Sequence, residues 1–384
     1  MKEFIFQTTP KIIFGEESIN CIISELKDLK VEKPFFICDP IIKDLPFFAS
    51  LIEDLKNQNI VFGIFSDIES DPSYETADKA TQAILDFNSD SVIGIGGGSA
   101  LDIAKIVAIT SKTKEMVKQL MSKSEINDSG LPLILIPTTA GTGSEVTHIS
   151  ILSNLQEQTK NGLVSPKLYA DVAILDPLIT LSLPATITAY SGVDAIIHAL
   201  EALTSKLATP YTDKLALEAL NVLFSSILTA FINGQNIEAR SKMLYGSMLA
   251  GQAFANSSVA AVHAFAYPIG AEFHIPHGLA NSIMLMPILK YNIESGVHKY
   301  ALAAKAIGID TNNISKTEAA NQLVEKLDGL LLSLKFKREL RFYGIKKSDI
   351  PNLAKKVMKI TRLMNNNPRE ISLNDAEKLY LEAY

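Results

Sequence analysis

The first half of the chain alternates between short apolar runs and longer segments with helical spacing. The apolar runs are rich in Ile, Val and Phe, and they predict strands at 34–38, 60–65, 91–95 and 131–136. In the intervening segments apolar residues recur every three or four positions, which predicts helices at 46–59, 74–87 and 99–111. Alternation of this kind favours a parallel sheet with helices on both faces.

The segments on either side of this pattern differ from it. EFIFQTTPKIIFG (3–15) predicts two short strands around a turn, and such a strand could pair within its own sheet or extend the sheet of another subunit. From about residue 184, long segments rich in Ala and Leu predict helices, some of them apolar on all sides. We therefore expect an α/β domain at 1–182 and an all-helical domain at 183–384, divided near the prolines of LDPLITLSLPAT (175–186).

Composition narrows the class of protein. A chain of 384 residues with 47% hydrophobic residues is long for one domain and can bury sizeable cores. A net charge of −6 without a basic cluster argues against a nucleic-acid partner, and no apolar run is long enough to predict a membrane span. The two cysteines, Cys21 and Cys38, cannot form a disulfide framework and suit a reducing compartment, so we expect a cytoplasmic protein.

A glycine-rich sequence lies where a predicted strand meets a predicted helix. SVIGIGGGSALDIAK places Gly96, Gly97, Gly98 and Ser99 directly after the strand at 91–95. Glycines let the backbone approach an anion closely, and free N–H groups at a helix N-terminus then bind pyrophosphate. A tight turn without a ligand is the alternative, but the carboxyl end of a strand in a βαβ array favours a dinucleotide.

Two further elements follow predicted strands. The loop PTTAGTGSEVT (137–147) offers several hydroxyl groups, and it either faces the same crevice as the glycine loop or is a solvated Ser/Thr loop. Asp39 follows the strand at 34–38, where its carboxylate can accept ribose hydroxyls and would repel a 2′-phosphate. That position predicts NAD rather than NADP, although Asp39 could simply open a turn before Pro40.

Histidines and one aspartate suggest a metal site. In GVDAIIHALEA, Asp194 and His198 are four residues apart in a predicted helix and therefore share a face, where they can chelate an ion or merely contact each other. His263 lies in the next long apolar helix, and the spacing does not distinguish His274 from His277 as a further ligand. One carboxylate with imidazoles suits Fe(II) or Zn(II) rather than Mg or Ca.

Five ordered motifs carry a resemblance to a known family. They are GGGSALDIAK, PTTAGTGSEVT, GVDAIIHALEA, VHAFAYPIGAEFHIPHG and NNPREISLNDAEKLYLEAY. Over essentially its full length the chain resembles the iron-containing (group III) alcohol dehydrogenases. The resemblance implies a Rossmann-like α/β N-terminal domain and an all-α C-terminal domain, an architecture shared with dehydroquinate synthase, with cofactor and metal in the cleft between the domains.

The resemblance also assigns residues. It implies that the metal ligands are Asp194, His198, His263 and His277. The implied dinucleotide contacts are Asp39, Gly96, Gly97, Gly98, Ser99, Asp102, Thr138, Thr139, Thr142, Thr147 and Lys160. The candidate catalytic residues are Tyr267, which stands where several members have a histidine and whose phenol is a poor base near neutral pH, and His274, which either hydrogen-bonds substrate or is a packed loop residue.

The implied activity is reversible hydride transfer between a small primary alcohol or diol and NAD, in a homodimer that holds Fe(II) or, as the other candidate, Zn(II). A dehydroquinate-synthase-like lyase and a maleylacetate reductase are the alternative enzymes. The four-ligand set and the lack of a basic cluster for a phosphate argue against the first, and the complete metal set argues against the second. A non-catalytic nucleotide sensor is the remaining alternative.

Overall fold

The computed structural model describes residues 3–157 and 159–384. It divides into two compact units, one formed by Gln7–Leu183 and the other by Pro184–Tyr384 together with residues 3–6. The ring of Phe6 packs edge-on against Tyr211 at 4.5 Å between centroids, within the second unit. The predicted domain limit after residue 182 stays a prediction, and the division found here lies close to it.

The α/β unit contains a six-stranded parallel sheet with the order β1-β8-β5-β4-β2-β3, and a separate antiparallel hairpin of β6 and β7. The strands are β1 Lys11–Phe14, β2 Pro34–Cys38, β3 Gly63–Phe65, β4 Ser91–Gly96, β5 Leu133–Pro137, β6 Ile149–Asn154, β7 Thr159–Val164 and β8 Val172–Leu175. Strand β3 lies outside β2, whereas β4 lies on the other side of β2. The strand order therefore reverses between β2 and β4, which is where ligands bind in open parallel sheets.

Helices cover both faces of this sheet, as the alternation predicts. They are α1 Ile22–Asp28, α2 Pro46–Asn57, α3 Tyr74–Phe87, α4 Gly98–Thr113 and α5 Val117–Met121. Strand β2 shows why two apolar layers are needed. Phe35 and Ile37 pack in a core with α3 and α4, whereas Phe36 and Cys38 pack in the core formed with α1 and α2. Since both faces are buried, the strand is a continuous apolar run without polar alternation.

The N-terminal prediction agrees with the structure for one of its two strands, and extension of another subunit's sheet by the other stays a prediction. Lys11–Phe14 forms β1 and pairs in parallel with β8 of its own sheet, but Glu3–Thr9 forms no strand. The predicted strand at 60–65 shortens to β3, because this is the edge of the sheet and Val61 is 60% exposed. Aromatic and β-branched residues raise strand propensity, but without a neighbouring strand they do not form one.

The second unit is helical, as the sequence predicts. Its helices are α6 Ala185–Thr204, α7 Pro210–Ile232, α8 Ile237–Ser257, α9 Ala261–Phe273, α10 His277–Ala306, α11 Lys316–Ser333, α12 Ile350–Val357, α13 Thr361–Met364 and α14 Leu373–Glu382. Helix α6 packs against α7, α8 and α10, and every residue from Gly192 to Thr204 is buried. That surrounding explains why its sequence is apolar on almost every side.

Helix α7 is the one helix among the described residues that is long and apolar enough to cross a membrane. Length and composition alone are weak evidence, because a core helix passes the same test. Five polar residues spaced three or four apart are exposed along α7, namely Lys214, Glu218, Asn221, Ser225 and Thr229. This polar stripe is the pattern of a helix that is half-buried in a protein core.

Candidate metal centre and cofactor-binding loops

Helix α6 presents three buried polar side chains on one face. Asp194, His198 and Glu201 follow each other at four- and three-residue spacing, and their exposed fractions are 2%, 5% and 5%. Polar groups this deeply buried need partners, and a cluster of them in an apolar helix indicates a ligand site. The four-residue spacing in the sequence predicts the first two as ligands, whereas the role of Glu201 becomes visible only in the structure.

Two other helices bring imidazoles to Asp194. Its Oδ1 lies 3.7 Å from Nε2 of His263, on α9, and 3.9 Å from Nε2 of His277, at the start of α10. The three potential ligand atoms all lie within 4.8 Å of one another. Metal–ligand bonds of about 2.0–2.2 Å separate neighbouring ligand atoms by roughly 3–3.6 Å, so a small contraction would close this set around one ion.

His198 lies beside these three residues. Its Nδ1 is 4.0 Å from Oδ2 of Asp194, and its ring stacks on that of His263 at 4.5 Å between centroids. The opposite face of the His198 ring stacks on Phe254 at 4.3 Å. The compact group formed by the other three does not include His198, and its place as the fourth ligand stays a prediction.

Glu201 determines how His263 is oriented. Its Oε2 lies 2.6 Å from Nδ1 of His263, and its two oxygens also accept the backbone N–H groups of Ala260 and Val262 at 3.0 and 2.6 Å. With Nδ1 donating to the carboxylate, the lone pair of the imidazole is on Nε2. That atom is buried, has no hydrogen-bond partner among the described residues and lies nearest Asp194, which is the arrangement of a metal-binding histidine.

The start of α10 fixes His277. One turn further on, Nδ2 of Asn281 lies 2.6 Å from Oδ1 of Asp194 and 3.1 Å from Nε2 of His277. Gly278 allows α10 to approach α6, since a Cβ at this position would lie 2.4 Å from the carbonyl oxygen of Tyr190. A side chain next to His277 would therefore push the imidazole away from Asp194.

The charges within this cluster affect one another. Burial alone would raise the pKa of Asp194, but the neighbouring imidazoles of His198, His277 and His263 reverse the effect and lower it. Burial lowers the pKa of His263, but the hydrogen bond and charge of Glu201 and the charge of Asp194 raise it overall. The cluster thus has the mixed acidic and basic character that a divalent ion would balance.

The two candidate catalytic residues have different surroundings. Tyr267 lies one turn after His263 on α9 and is buried, and its ring centroid is 6.1 Å from that of His277. His274 ends α9 in the left-handed conformation, with φ 53°, and its side chain is exposed rather than packed. The structure therefore brings Tyr267 next to the candidate centre.

In the α/β unit, Asp39 and the glycine loop meet where the strand order reverses. Strand β4 ends at Gly96, α4 begins at Gly98, and the N–H of Gly97 donates to Oδ2 of Asp39 at 2.8 Å. Gly96 has φ 153°, and a Cβ there would lie 2.3 Å from that carboxylate oxygen. The turn therefore requires glycine. No side chain caps the N-terminus of α4 by a hydrogen bond, so the backbone N–H groups there can bind an anion.

The second loop packs beside the first. The N–H of Thr138 donates to the carbonyl of Gly96 at 2.9 Å, and a Cβ on Gly98 would lie 2.8 Å from Cγ2 of Thr142. Thr139 is the nearest side chain to the position a Cβ on Gly97 would take. These predicted cofactor residues therefore surround one turn, and Ser99 lies in the first turn of α4.

Other predicted cofactor residues have partners within the protein. Oδ1 of Asp102 accepts from Ser144 and Oδ2 accepts from the N–H of Ile151, at 2.6 and 2.8 Å. Lys105 is fully buried and donates to Ser144, Thr147 and the carbonyl of Ile149, and burial lowers its pKa to about 8. This network connects the second loop to α4 by hydrogen bonds, so Asp102 and Thr147 hold the loop in its position.

Lys160 is also held within the unit. It lies in β7, has a 6% exposed side chain and pairs with Asp71 at 2.7 Å. Asp71 itself has a left-handed backbone, with φ 57°. Sequence reasoning did not identify Lys105 or this ion pair, because their partners lie about 40 and 90 residues away along the chain.

Comparisons with known proteins agree with this geometry. Residues 9–177 match the family model described as iron-containing alcohol dehydrogenase, and residues 188–384 match the C-terminal model of the Fe-containing alcohol dehydrogenase family. Together the two models cover almost the whole chain.

Three individual proteins are similar along their full length. Sulfoacetaldehyde reductase of Bilophila wadsworthia is 36% identical over 371 residues, 96% of each chain. Long-chain-alcohol dehydrogenase 1 of Geobacillus thermodenitrificans is 36% identical over 373 residues, 96% of this chain and 94% of its own. The crystal structure of sulfoacetaldehyde reductase from Bifidobacterium kashiwanohense, in complex with NAD⁺, superposes with a TM-score of 0.91 at 26% identity and covers 100% of this chain and 99% of its own.

Proposed function

The chain belongs to the iron-containing alcohol dehydrogenase family, and on that premise we propose that it interconverts a small primary alcohol or diol and the corresponding aldehyde with NAD as the redox partner. The overall reaction is alcohol plus NAD⁺ to aldehyde, NADH and a proton. The observation that carries the proposal is the convergence of Asp194, His263 and His277, with an unpartnered Nε2 on His263.

The donor set fits a first-row divalent ion. Asp194, His263, His277 and, as the fourth ligand, His198 would hold Fe(II) or Zn(II), since one carboxylate and imidazoles suit these ions. A bound ion supplies Lewis acidity, which favours ionisation of a hydroxyl group and polarises a carbonyl. Glu201 and Asn281 keep His263 and His277 oriented, and Phe254 and Tyr267 provide aromatic surface beside the ligands.

The α/β unit supports NAD as the dinucleotide. The N-terminus of α4 provides backbone N–H groups for a pyrophosphate, and Asp39 places a carboxylate beside that turn. Only Oδ2 of Asp39 is used by Gly97, so Oδ1 is available for a ribose hydroxyl and repels a 2′-phosphate. Among the predicted contacts, Gly96–Ser99, Thr138, Thr139 and Thr142 surround this turn.

Tyr267 is the candidate residue for accepting the proton that the alcohol hydroxyl group releases. Its phenol can donate or accept a hydrogen bond next to His277, but it is a poor base near neutral pH. We therefore propose that Tyr267 orients the substrate and that the proton passes to solvent. The imidazole of His274 lies exposed at the end of the same helix, and its hydrogen bond to substrate is part of the same proposal.

The assembly and compartment belong to the same proposal. We propose a homodimer in a reducing cytoplasm, supported by the free thiols of Cys21 and Cys38 and by the exposed apolar residues Phe4 and Ile5 near the N-terminus. Size-exclusion chromatography with light scattering measures the assembly directly.

NADH absorbance tests the activity. Metal-stripped protein is assayed with short alcohols, diols and 2-hydroxyethanesulfonate, because sulfoacetaldehyde in the names of two relatives is the aldehyde of that alcohol. Each assay is repeated after anaerobic addition of Fe(II) or Zn(II), and Asp194→Asn serves as the matched control. We expect turnover only in the wild-type protein with metal restored. Tight NAD binding without turnover on any metal and alcohol would instead favour the lyase or the sensor.

A further inference from the structure

Asn281 is a buried residue whose side-chain amide contacts two of the candidate metal ligands. It lies one turn after His277 on α10 and is 0% exposed. Its Nδ2 is 2.6 Å from Oδ1 of Asp194 and 3.1 Å from Nε2 of His277, and these two ligand atoms are 3.9 Å apart. Because an amide NH₂ group has two hydrogens, both contacts can be hydrogen bonds at the same time. A single side chain therefore joins the two candidate ligands.

The carboxylate of Asp194 determines which way the Asn281 amide faces. If the amide oxygen took the place of Nδ2, it would face a carboxylate oxygen at 2.6 Å, and neither atom has a hydrogen to donate. Within residues 3–157 and 159–384, Oδ1 of Asn281 is buried without a hydrogen-bond partner. A buried amide oxygen without a donor is unfavourable, so the two contacts of Nδ2 are what hold this orientation.

The orientation of Asn281 also determines the tautomer of His277. Nδ2 of Asn281 can only donate, so Nε2 of His277 accepts with its lone pair, and the proton of the neutral imidazole is on Nδ1. Nε2 is also the His277 nitrogen that faces Asp194. Asn281 therefore keeps His277 in the tautomer that a metal ion needs.

The two contacts of Asn281 must respond differently to a metal ion. A neutral imidazole nitrogen has one lone pair, so Nε2 of His277 cannot accept from Asn281 and bind an ion at the same time. A carboxylate oxygen has more than one acceptor site, so Oδ1 of Asp194 can do both. Since Oδ1 of Asn281 has no hydrogen bond to lose, the amide can turn away from His277 and keep its bond to Asp194.

We propose that Asn281 holds the place of the metal ion at His277 and gives up that hydrogen bond when the ion binds. The ion then fixes the His277 ring itself, while the bond between Asn281 and Asp194 remains. Asn281 is thus a positioning residue that also competes with the ion. The inference rests on the ligand set of the proposed function and adds the exchange of contacts within that set. It does not depend on the alcohol or the dinucleotide.

Zinc affinity tests this competition directly. Asn281→Leu has a side chain of similar shape without a donor, so Zn(II) no longer has to break a hydrogen bond at His277. Chelator competition on metal-stripped protein should therefore show Zn(II) binding about 3- to 10-fold tighter than in the wild type, which corresponds to one net hydrogen bond. Asn281→Ala removes the same donor with a smaller side chain. It should shift the affinity in the same direction, so the test does not depend on how well Leu packs.

Asn236→Leu is the matched control. Asn236 caps the start of α8, where its Oδ1 accepts the N–H of Ala239 at 2.9 Å, and it lies at the opposite end of this helix from Phe254. The substitution is the same and also removes one side-chain hydrogen bond, but it should leave the Zn(II) affinity unchanged. Unchanged or weaker Zn(II) binding in both Asn281 variants would overturn the inference, and so would an equal increase in Asn236→Leu.

NMR spectroscopy of the wild-type protein follows the exchange without a substitution. With ¹⁵N-labelled asparagine, the NH₂ signals of Asn281 are assigned by their loss in Asn281→Leu. The hydrogen that faces His277 should move upfield when Zn(II) is added, because its hydrogen bond is lost. With ¹⁵N-labelled histidine, Nε2 of His277 should carry no proton in the metal-stripped protein at a pH where imidazole is neutral.

The outcomes separate this inference from the proposed function. An Asn281 signal that stays in place on addition of Zn(II), or a proton on Nε2 of His277 before addition, would count against the inference even if alcohols are oxidised. The predicted affinities and signals would support it even if no alcohol is oxidised, because neither measurement uses alcohol or NAD. Failure of the wild-type protein to bind Zn(II) would contradict both the ligand set and the inference.

Discussion

Replacing Glu201 by Gln removes the negative charge that holds His263 and keeps the size of the side chain. The carboxylate lies 2.6 Å from Nδ1 of His263, a distance typical of a charge-assisted hydrogen bond. An amide can present its NH₂ group to Nδ1, in which case the ring takes the other tautomer and its proton faces Asp194. We therefore expect Glu201→Gln to misplace the lone pair that a metal ion requires.

The size of the effect follows from these contacts. Loss of a carboxylate behind a metal-binding histidine typically lowers metal affinity by about 10- to 100-fold, which corresponds to about 1.4–2.7 kcal/mol. The backbone N–H groups of Ala260 and Val262 compete for the single remaining oxygen, so one of them loses its acceptor. An unsatisfied buried donor costs about 1–3 kcal/mol of the free energy of unfolding.

Chelator competition measures the affinity and urea titration of the metal-free protein measures the stability. Glu238→Gln is the control, since Glu238 is exposed on α8 and forms only a surface ion pair with Lys242. Metal affinity of Glu201→Gln within twofold of the wild type would refute the assigned role of the carboxylate. Loss of stability with unchanged affinity would show that Glu201 supports α9 but does not orient His263.

Two further changes test the α/β unit. Asp39→Asn keeps an acceptor for the N–H of Gly97 but removes the charge that repels a 2′-phosphate. The preference for NAD⁺ over NADP⁺, measured as a ratio of initial rates, should therefore fall by about tenfold. An unchanged ratio would contradict this role of Asp39. Burial raises the pKa of Glu145 from 4.5 to about 7, so its stabilising contribution is complete below about pH 4.5 and is lost as the pH rises through 7. In the wild type we therefore expect the free energy of unfolding, measured by urea titration, to fall by up to roughly 3 kcal/mol between about pH 5 and 7. Glu145→Gln should abolish this fall. The same pH dependence in the two proteins would contradict the prediction.

The sequence predicts best the elements whose burial produces a regular pattern of apolar residues. Strand β2 agrees with its prediction residue for residue, and so does α3, because a fully buried apolar run and a three-to-four spacing leave few alternatives. The β6–β7 hairpin was not predicted. Its second strand, Thr159–Val164, contains Lys160, Asn161 and Gly162, and most of its residues are partly or fully exposed. It therefore shows neither a continuous apolar run nor a helical spacing of apolar residues.

The candidate site shows the same division. The spacing of Asp194 and His198 is visible in the sequence, because both belong to one helix. Glu201 shares that helix face, but its importance depends on α9, whose position relative to α6 no local pattern contains. Lys105 follows a helical spacing that suits an exposed residue, and only its contacts with Ser144 and the carbonyl of Ile149 explain why it is buried.

The hydrogen bonds of Glu201 also constrain the order in which the helical unit can form. They join residues about sixty positions apart, and α7 and α8 lie within the loop that they close. Before α9 is in place, burial of α6 would leave the carboxylate of Glu201 without hydrogen-bond donors, which costs about 3–5 kcal/mol. Helix α6 therefore gains little by docking early, although its sequence is strongly apolar. Glu201 thus couples the burial of its own helix to the placement of α9, and its contacts can form only after Ala260, Val262 and His263 have been synthesised.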